Sequence, residues 1–249
     1  MHVEPTADDD GLLRSVERFL DAVPIDFGGG CSVPKAQLLA ALIRHRGITR
    51  SVDLGVYRGR SLFPQAIAHQ RYTGGVVYGV DPWTAEAAHQ EDRPDLRTQL
   101  ERFTRETDFE AIHRRVQDLR RVAGFEGSCA IVRTTSADAA RRFEERGTTF
   151  GLVHIDGNHD TARVTEDVAR YLPLLDRGGV VVLDDVSWGS VRPAFDRLAA
   201  ATTHVFERVA EGDDYAVFWN GTDAREADSV ARLCRRISGP TSDGGFARC

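Results

Sequence analysis

Short apolar runs alternate along this chain with segments in which apolar residues recur at helical spacing. The two clearest runs are 151–155 and 178–183, which are rich in β-branched residues, contain or begin with glycine and stop at acidic residues. Such runs predict buried strands. The segment 161–175 between them places its apolar residues on one helical face. Strand, helix and strand predict a right-handed parallel crossover, in which both strands end at the same edge of one sheet.

The same alternation extends over most of the chain. Further strands are predicted at 51–54, 75–80 and 129–132, and a hairpin at 203–208 and 215–220. Helices are predicted at 12–23, 34–46, 61–69, 96–107, 109–122, 136–146 and 191–200. Five strands separated by helices and followed by a hairpin predict an α/β fold. We expect a Rossmann-like, doubly wound, seven-stranded sheet with a C-terminal antiparallel β-hairpin.

The organisation predicted from these elements is one main domain with short flanking parts. Residues 1–34 are expected to be an N-terminal tail and helix, and residues 221–249 a C-terminal helix and tail. The domain covers 35–220, and its charged segment 83–125 is a candidate lid or insertion over the active site; a solvated surface helix would explain that segment as well. The amphipathic N-terminal helix offers an interface for a homo-oligomer.

Composition narrows the class of protein. The chain has 249 residues, of which 41% are hydrophobic and 28% charged, with a net charge of −6. An acidic balance without a basic footprint argues against nucleic acid as a partner, and the longest apolar runs are too short to cross a membrane. The four cysteines show neither zinc-ligand spacing nor a disulfide framework, which favours the cytoplasm. Lys35 is the only lysine, which we interpret as a compositional preference for arginine.

Three carboxylates are expected to meet where the two clearest strands end. Asp156 follows the first strand, and Asp184 and Asp185 follow the second. In open α/β sheets ligands bind at this edge. The three charges would repel one another unless a divalent cation, a shared proton or nearby arginines neutralised them. Alternatively, Asp184 and Asp185 only end a strand and begin a turn.

A glycine loop after the first predicted strand forms a second candidate site. Asp53 ends that strand, Gly55 and Gly59 lie four residues apart, and a helix begins near Ser61. The glycines allow a sharp turn and the close approach of a ligand, and the helix N-terminus offers unpaired N–H groups. The spacing is not the dinucleotide fingerprint. An acid before the first glycine suits a cationic group better than a pyrophosphate.

Three further positions complete the predicted ligand site. Asp81 ends the second strand, where an acid typically accepts hydrogen bonds from ribose hydroxyls. Trp83 is expected to stack on a flat base or to form part of a pocket wall. Ser136 and Ala137 begin a helix beside these strand ends and are candidates for lining an adenine pocket, although helix capping alone would explain Ser136.

With the glycine loop of 52–61, the acid at the end of 79–81 and the terminal hairpin, the chain resembles class I S-adenosylmethionine (SAM)-dependent methyltransferases. The segments 155–159 and 175–186 are similar to those of small-molecule O-methyltransferases, which include macrolide-sugar and aminocoumarin-sugar enzymes, and of the cephalosporin-hydroxylase group. This resemblance covers about residues 35–220. It implies a SAM-dependent O-methyltransferase that acts on a hydroxyl of a small molecule, such as a sugar or phenol in antibiotic biosynthesis.

The resemblance also implies roles for the candidate residues. Asp53, Gly55, Gly59 and Ser61 would hold the methionine part of SAM, and Asp81 its ribose. Asp156, Asp184 and Asp185 match the carboxylates that bind a divalent metal, expected to be Mg²⁺, and Asp156 would also lie beside the cofactor.

The catalytic base is expected to be His159, although a water-exposed histidine at a helix start would explain this residue as well. Related sugar methyltransferases often carry a second aspartate two positions after the first metal aspartate, and that position is Asn158 here. Asparagine cannot take a proton, whereas His159 follows directly and titrates near neutral pH. Together with the metal bound by Asp156, His159 would deprotonate the acceptor hydroxyl.

Two other classes of function stay open at this stage. A nicotinamide-dependent oxidoreductase would share the acid at Asp81, but it requires a glycine fingerprint that this chain lacks. A non-catalytic SAM-binding or assembly protein would result if His159 and the metal site were vestigial.

Overall fold

The computed structural model describes residues 7–23, 30–210 and 213–239. Most of the predicted N-terminal tail and of the predicted C-terminal tail lies outside these residues. The described strands form one seven-stranded sheet in the order β3-β2-β1-β4-β5-β7-β6. The strands are β1 Arg50–Leu54, β2 Val76–Val80, β3 Cys129–Val132, β4 Phe150–Ile155, β5 Leu175–Asp184, β6 Thr203–Ala210 and β7 Asp213–Trp219.

The first five strands run parallel, whereas β7 pairs antiparallel with both β5 and β6. This topology confirms the predicted doubly wound sheet with a terminal hairpin. The helices are α1 Ala7–Leu20, α2 Val33–Arg46, α3 Leu62–Ala68, α4 Ala85–Ala88, α5 Arg97–Glu106, α6 Phe109–Val122, α7 Ser136–Glu145, α8 Thr161–Tyr171, α9 Arg192–Ala201 and α10 Ala224–Ser238. Among the described helices, none combines the length and the apolar character that crossing a bilayer requires.

Helices cover both faces of the sheet, because its central strands are apolar on both sides. One hydrophobic cluster joins the sheet to α1, α2, α3, α6 and α10, and a second joins it to α7, α8 and α9. Burial on both faces explains why β4 and β5 are nearly continuous apolar runs instead of alternating ones. The carboxyl ends of the parallel strands are left at one edge, which we call the rim.

The N-terminal helix packs inside the molecule. Leu12, Val16 and Leu20 of α1 are at most 2% exposed and belong to the same cluster as α2 and α3. The buried guanidinium of Arg60 donates hydrogen bonds to the carbonyls of Leu20 and Cys31, which ties the end of α1 to the glycine loop. The apolar face of α1 is therefore already covered within the chain, and the interface expected on that face is wrong. A homo-oligomer and the division into parts at 1–34, 35–220 and 221–249 stay predictions.

Gly55 lets the loop after β1 pass directly against the end of β4. Its φ is +86°, and a Cβ at this position would lie 2.0 Å from the carbonyl oxygen of Asp156. The amide of Asp156 in turn donates to the carbonyl of Leu54 at 2.9 Å. The absence of a side chain at Gly55 thus sets the distance between the glycine loop and the rim carboxylates.

We expect Gly55→Ala to destabilise the fold more than Gly47→Ala does. Gly47 also has a positive φ, +61°, but a Cβ there meets nothing within 4 Å. The control should lose about 1 kcal/mol from left-handed backbone strain, and Gly55→Ala roughly 1–3 kcal/mol more, because the Asp156 backbone must move. Urea unfolding followed by circular dichroism measures both. Equal losses would contradict the close approach.

Candidate active site

The structure brings the predicted rim carboxylates together. Residues Ile155 of β4 and Leu183 of β5 are neighbours in the parallel register, so Asp156 and the pair Asp184 and Asp185 emerge side by side. Asp184 is buried, whereas Asp156 and Asp185 are partly exposed. Burial and the adjacent charge of Asp184 raise the pKa of Asp156 to about 6.

Two cationic side chains contact Asp184, and the sequence analysis did not assign either of them to the site. The ammonium of Lys35, in the first turn of α2, is hydrogen-bonded to Asp184 Oδ2 and lies 3.6 Å from Asp156 Oδ2. Burial disfavours its charge, but Asp184 and Asp156 outweigh burial and raise its pKa. Lys35 is the only lysine in the sequence, and this was the one signal that could have indicated a special role. Interpreting it as a compositional preference for arginine overlooked that role.

His154 is the second unassigned cation, and it lies inside β4. Its Nδ1 is 2.5 Å from Asp53 Oδ1 and its Nε2 3.3 Å from Asp184 Oδ1. Because a carboxylate stands at each nitrogen, both nitrogens act as donors only in the protonated ring. Burial lowers its pKa, but the two hydrogen-bonded carboxylates raise it to about 10. A histidine within an otherwise apolar strand was visible in the sequence, but its two partners were not.

His159, the predicted base, lies between two of the rim carboxylates. Its Nε2 is 3.2 Å from Asp185 Oδ2 and 3.6 Å from Asp156 Oδ1. The ring is 7% exposed, and among the described residues neither of its nitrogens has a hydrogen-bond partner of good geometry. Burial lowers its pKa, but Asp185 and Asp156 outweigh burial and raise it to about 9. A buried, unpartnered imidazole in this position can bind an incoming hydroxyl.

The hairpin fixes the rim from one side. Asp213 accepts a hydrogen bond from the hydroxyl of Ser32 at 2.8 Å, and Ser32 caps α2 just before Lys35. The next residue, Asp214, accepts a hydrogen bond through its backbone carbonyl from the amide of Asp185 at 2.9 Å. Asp185 has a positive φ of +53°, a strained conformation for a residue other than glycine. The start of β7 therefore holds both Lys35 and Asp185 in place.

The three carboxylates do not form the open oxygen site that was predicted for a metal. Both oxygens of Asp184 already have cationic partners, Lys35 and His154. The groups whose ligand atoms lie within 4.8 Å of one another are instead His154 with Asp156 and Asp184, and Asp156 with His159 and Asp185. In the first group His154 has no free nitrogen. The second group is the more exposed of the two, since both of its carboxylates are partly exposed.

A pocket lies between the glycine loop and the rim. Of the predicted cofactor residues, Gly55, Ser61 and Asp156 line it, together with Gly30 and Cys31 at the start of α2. Gly59 shapes the loop with a φ of +87° and packs against Phe63. The pocket thus adjoins both the loop and Asp156, as expected for a ligand that spans the two.

Asp53 lies beneath the glycine loop instead of in the pocket. It is fully buried, and its carboxylate accepts hydrogen bonds from Ser61 Oγ at 2.8 Å and Gln65 Nε2 at 3.2 Å. With His154 as its third partner, Asp53 positions the start of α3. Its predicted contact with the methionine part of a cofactor stays a prediction, and its observed contacts are with the protein.

Asp81 and Trp83 hold the other side of the loop. Asp81 accepts hydrogen bonds from the amides of Tyr57 at 2.9 Å and Trp83 at 2.6 Å. Burial raises the pKa of Asp81 to about 6 despite these donors. The indole of Trp83 is 2% exposed, donates to the carbonyl of Tyr57 at 2.8 Å and packs on His113. The structure therefore places Trp83 behind the loop, whereas stacking on a base stays a prediction.

Ser136 and Ala137 begin α7 at the same edge of the sheet. The helix cap is Thr135, whose side chain accepts from the amide of Asp138, so Ser136 is not needed for that role. The carbonyl of Ser136 accepts a hydrogen bond from the hydroxyl of Tyr171 at 2.9 Å. Both residues are partly exposed, and their place in an adenine pocket stays a prediction.

The first part of the candidate lid, 83–125, is fastened to the loop that carries His159. Asn158 Nδ2 donates to the carbonyls of Ala87 at 3.1 Å and His89 at 2.7 Å. Asp160 accepts from the amides of Glu91 and Asp92, both at 2.8 Å. Asn158 therefore has a structural role at the position where an aspartate base was considered.

Trp188 forms a wall beside His159. The two rings are 5.3 Å apart, and the guanidinium of Arg93 from the candidate lid lies 3.9 Å above the indole. This stack places an indole that carries a guanidinium on one face next to the buried imidazole of His159. Trp188 was not predicted as a site residue, because a lone tryptophan after a turn gives no local signal of its neighbours.

Comparison with known proteins gives this arrangement a context. A family model described as a methyltransferase domain matches residues 52–186. Among curated proteins, none matches the sequence significantly. Several solved structures share the fold at low sequence identity.

One is an O-methyltransferase from Bacillus cereus in complex with S-adenosylhomocysteine (SAH), with 14% identity, a TM-score of 0.56 and coverage of 87% of this chain and 91% of that one. Another is the O-methyltransferase TomG from Streptomyces achromogenes, involved in tomaymycin synthesis and solved with SAM, with 18% identity, a TM-score of 0.57 and coverage of 90% and 93%. A third is a putative caffeoyl-CoA O-methyltransferase from Staphylococcus aureus, with 15% identity, a TM-score of 0.53 and coverage of 86% and 92%.

The family model covers more than half of the chain, and the resemblance found in the sequence is confirmed. The chain therefore belongs to the methyltransferase-domain family and is a methyltransferase with the fold of the class I S-adenosylmethionine-dependent enzymes.

Proposed function

We propose that this protein transfers the methyl group of SAM to a hydroxyl of a small molecule, such as a sugar or phenol in the synthesis of a natural product. The observation that carries the proposal is His159, an imidazole between two carboxylates, one of which, Asp156, lines the pocket beside the glycine loop. The relation of TomG to tomaymycin synthesis supports the natural-product context by analogy.

The cofactor would lie in the pocket along the glycine loop. Ser61 and Gly55 line the part of the pocket proposed for its methionine part. Asp156, one of the rim carboxylates, lines the same pocket. Asp81 retains acceptor capacity beyond its two amide donors, because a carboxylate offers about four lone-pair positions. That capacity suits the two hydroxyls of a ribose.

The acceptor would bind on the outer side of the rim, against His159 and Trp188. His159 in its neutral form, the minor form at neutral pH, removes the proton from the hydroxyl, while Asp185 and Asp156 stabilise the imidazolium that forms. Because a phenol has a pKa near ~10 and the pKa of His159 is about 9, this transfer is nearly balanced in energy. The oxygen then attacks the methyl carbon as the carbon–sulfur bond breaks, so positioning carries much of the rate enhancement.

Magnesium assistance by Asp156, Asp184 and Asp185 stays a prediction. No step of this proposal passes through it, because the partners of Asp184 do not fit an ion that needs its oxygens.

Incubation with methyl-labelled SAM and a panel of phenols, catechols, sugars and glycosylated natural products tests the proposal. Transfer of label to an oxygen of any panel member, together with stoichiometric formation of SAH, is the expected result. Absence of SAH binding in calorimetry would contradict the assignment of the pocket.

We expect Asp81→Asn to weaken SAH binding at pH 7.5 by roughly 10- to 100-fold, because a charge-assisted hydrogen bond is worth about 1.5–3 kcal/mol. In the wild type, SAH affinity should fall as the pH drops through 6, by about tenfold at pH 5, since protonation removes the carboxylate. Calorimetry at both pH values measures this. The Asn variant should lack this step, and a parallel decline in both proteins would assign the titration to another group.

We expect His159→Gln to lower kcat by about 100- to 10,000-fold, whereas SAH affinity changes by less than about threefold. Glutamine places a donor near the position of Nε2 but cannot take a proton. Single-turnover assays with an acceptor from the panel measure the loss. His89→Gln, in the exposed part of the candidate lid, is the matched control and should keep the wild-type rate. Full activity of His159→Gln would remove His159 from the mechanism.

A further inference from the structure

Lys35 is placed as a fixed cation inside the carboxylate rim. It is 2% exposed, its ammonium is hydrogen-bonded to Asp184, and it lies 3.6 Å from Asp156. The chain has 32 lysine and arginine residues, and this is the only lysine among them. A compact ammonium fits between two carboxylates as a point charge, whereas a planar guanidinium would need a wider, forked site.

The surrounding contacts hold Lys35 in this position. Ser32 caps α2 by accepting from the amide of Lys35 at 3.0 Å, and its hydroxyl donates to Asp213 at 2.8 Å. Asp213 is held in turn by Arg208 at 2.5 Å. Lys35 is therefore anchored through its backbone as well as its side chain, and its ammonium is not a mobile surface charge that swings into the rim.

The same position excludes a divalent ion shared by Asp156 and Asp184. Lys35 engages Asp184 Oδ2, and His154 engages Asp184 Oδ1 at 3.3 Å. An ion between Asp156 and Asp184 would have to expel the ammonium or lie against it, and two cations at such a distance repel strongly in a buried site. Lys35 and His154 therefore leave no place for an ion that Asp156 and Asp184 share, and an ion on the second group, Asp156, His159 and Asp185, would occupy the Nε2 that the proposed function uses as the base.

We propose that the ammonium of Lys35 takes the place of a divalent cation at this rim, and that methyl transfer by this protein needs no metal ion. The inference deepens the proposed function and rests on it. Lys35 acts as a positioning residue: it keeps Asp184 ionised and holds Asp156 at the edge of the cofactor pocket.

The reaction balances without a metal. The acceptor oxygen forms a bond to the methyl carbon, the carbon–sulfur bond breaks with its electron pair going to sulfur, and the hydroxyl proton goes to His159. No electron is gained or lost overall. The rim has to hold charges in fixed places, which a buried ammonium does permanently.

Mn²⁺ titration followed by electron paramagnetic resonance tests the proposal on the full-length protein. The wild type should bind Mn²⁺ with a Kd no tighter than about 1 mM. Lys35→Ala, which frees Asp156 and Asp184, should gain one Mn²⁺ per chain with an affinity at least about tenfold higher, and the double variant Lys35→Ala/Asp184→Asn should lose it again. Lys35→Arg keeps a cation, so it should gain no Mn²⁺ site even though the wider guanidinium disturbs the rim.

Two results would overturn the proposal. One is stoichiometric, tight Mn²⁺ binding by the wild type that Asp184→Asn abolishes. The other is a folded Lys35→Ala protein that gains no Mn²⁺ site. If Lys35→Ala does not fold, the wild-type titration and the effect of EDTA on turnover decide, since a loss of more than about tenfold that Mg²⁺ restores contradicts metal independence.

SAH calorimetry on the same preparations distinguishes a failure of the proposed function from a failure of the proposed role of Lys35. A wild type that binds no SAH would refute the proposed function, while the Mn²⁺ titration would still report whether Lys35 occupies a cation site. A wild type that binds SAH and also requires Mg²⁺ would keep the function and refute the role of Lys35.

Discussion

The site depends on a row of buried charges that alternate in sign. Each member contacts the next in the order Asp53, His154, Asp184, Lys35, Asp156, His159 and Asp185. An isolated buried charge is very unfavourable, whereas paired and hydrogen-bonded charges are tolerated. Removing one member leaves its neighbours uncompensated, so the row behaves as a unit. This explains why a residue such as Asp53, far from the acceptor side, bears on the geometry at His159.

The fold is what assembles this row from distant parts of the chain. Strands β1, β4 and β5 deliver the acids and His154 to one edge, because parallel strands end together. Lys35 comes from a helix that precedes the sheet, and the hairpin that follows it fixes both Lys35 and Asp185 through Asp213 and Asp214. The antiparallel hairpin therefore does more than close the sheet: it holds the outer end of the charge row.

Local patterns were sufficient for the strands, the hairpin and the convergence of Asp156 with Asp184, because strand ends follow from runs of apolar residues. They were insufficient for Lys35, since nothing near it in the chain indicates that it meets acids about 120 to 150 residues away. The direction in which a side chain points could not be predicted either. Trp83 lies two residues after Asp81, the predicted ribose-binding acid. Its φ is +50°, and its indole is buried behind the glycine loop.

The net charge of this row explains why a lysine, instead of a metal ion, suits the rim. With His154 protonated and His159 neutral, as its role as base requires, four carboxylates and two cations leave two negative charges next to the pocket that Asp156 lines. The proposed cofactor carries a positive sulfonium, whereas the product SAH has lost that charge. A net negative rim therefore favours substrate over product and eases product release. A divalent ion added to the same row would cancel this negative charge and remove the attraction for the sulfonium, so a single buried ammonium matches the charge of the proposed cofactor better than a metal does.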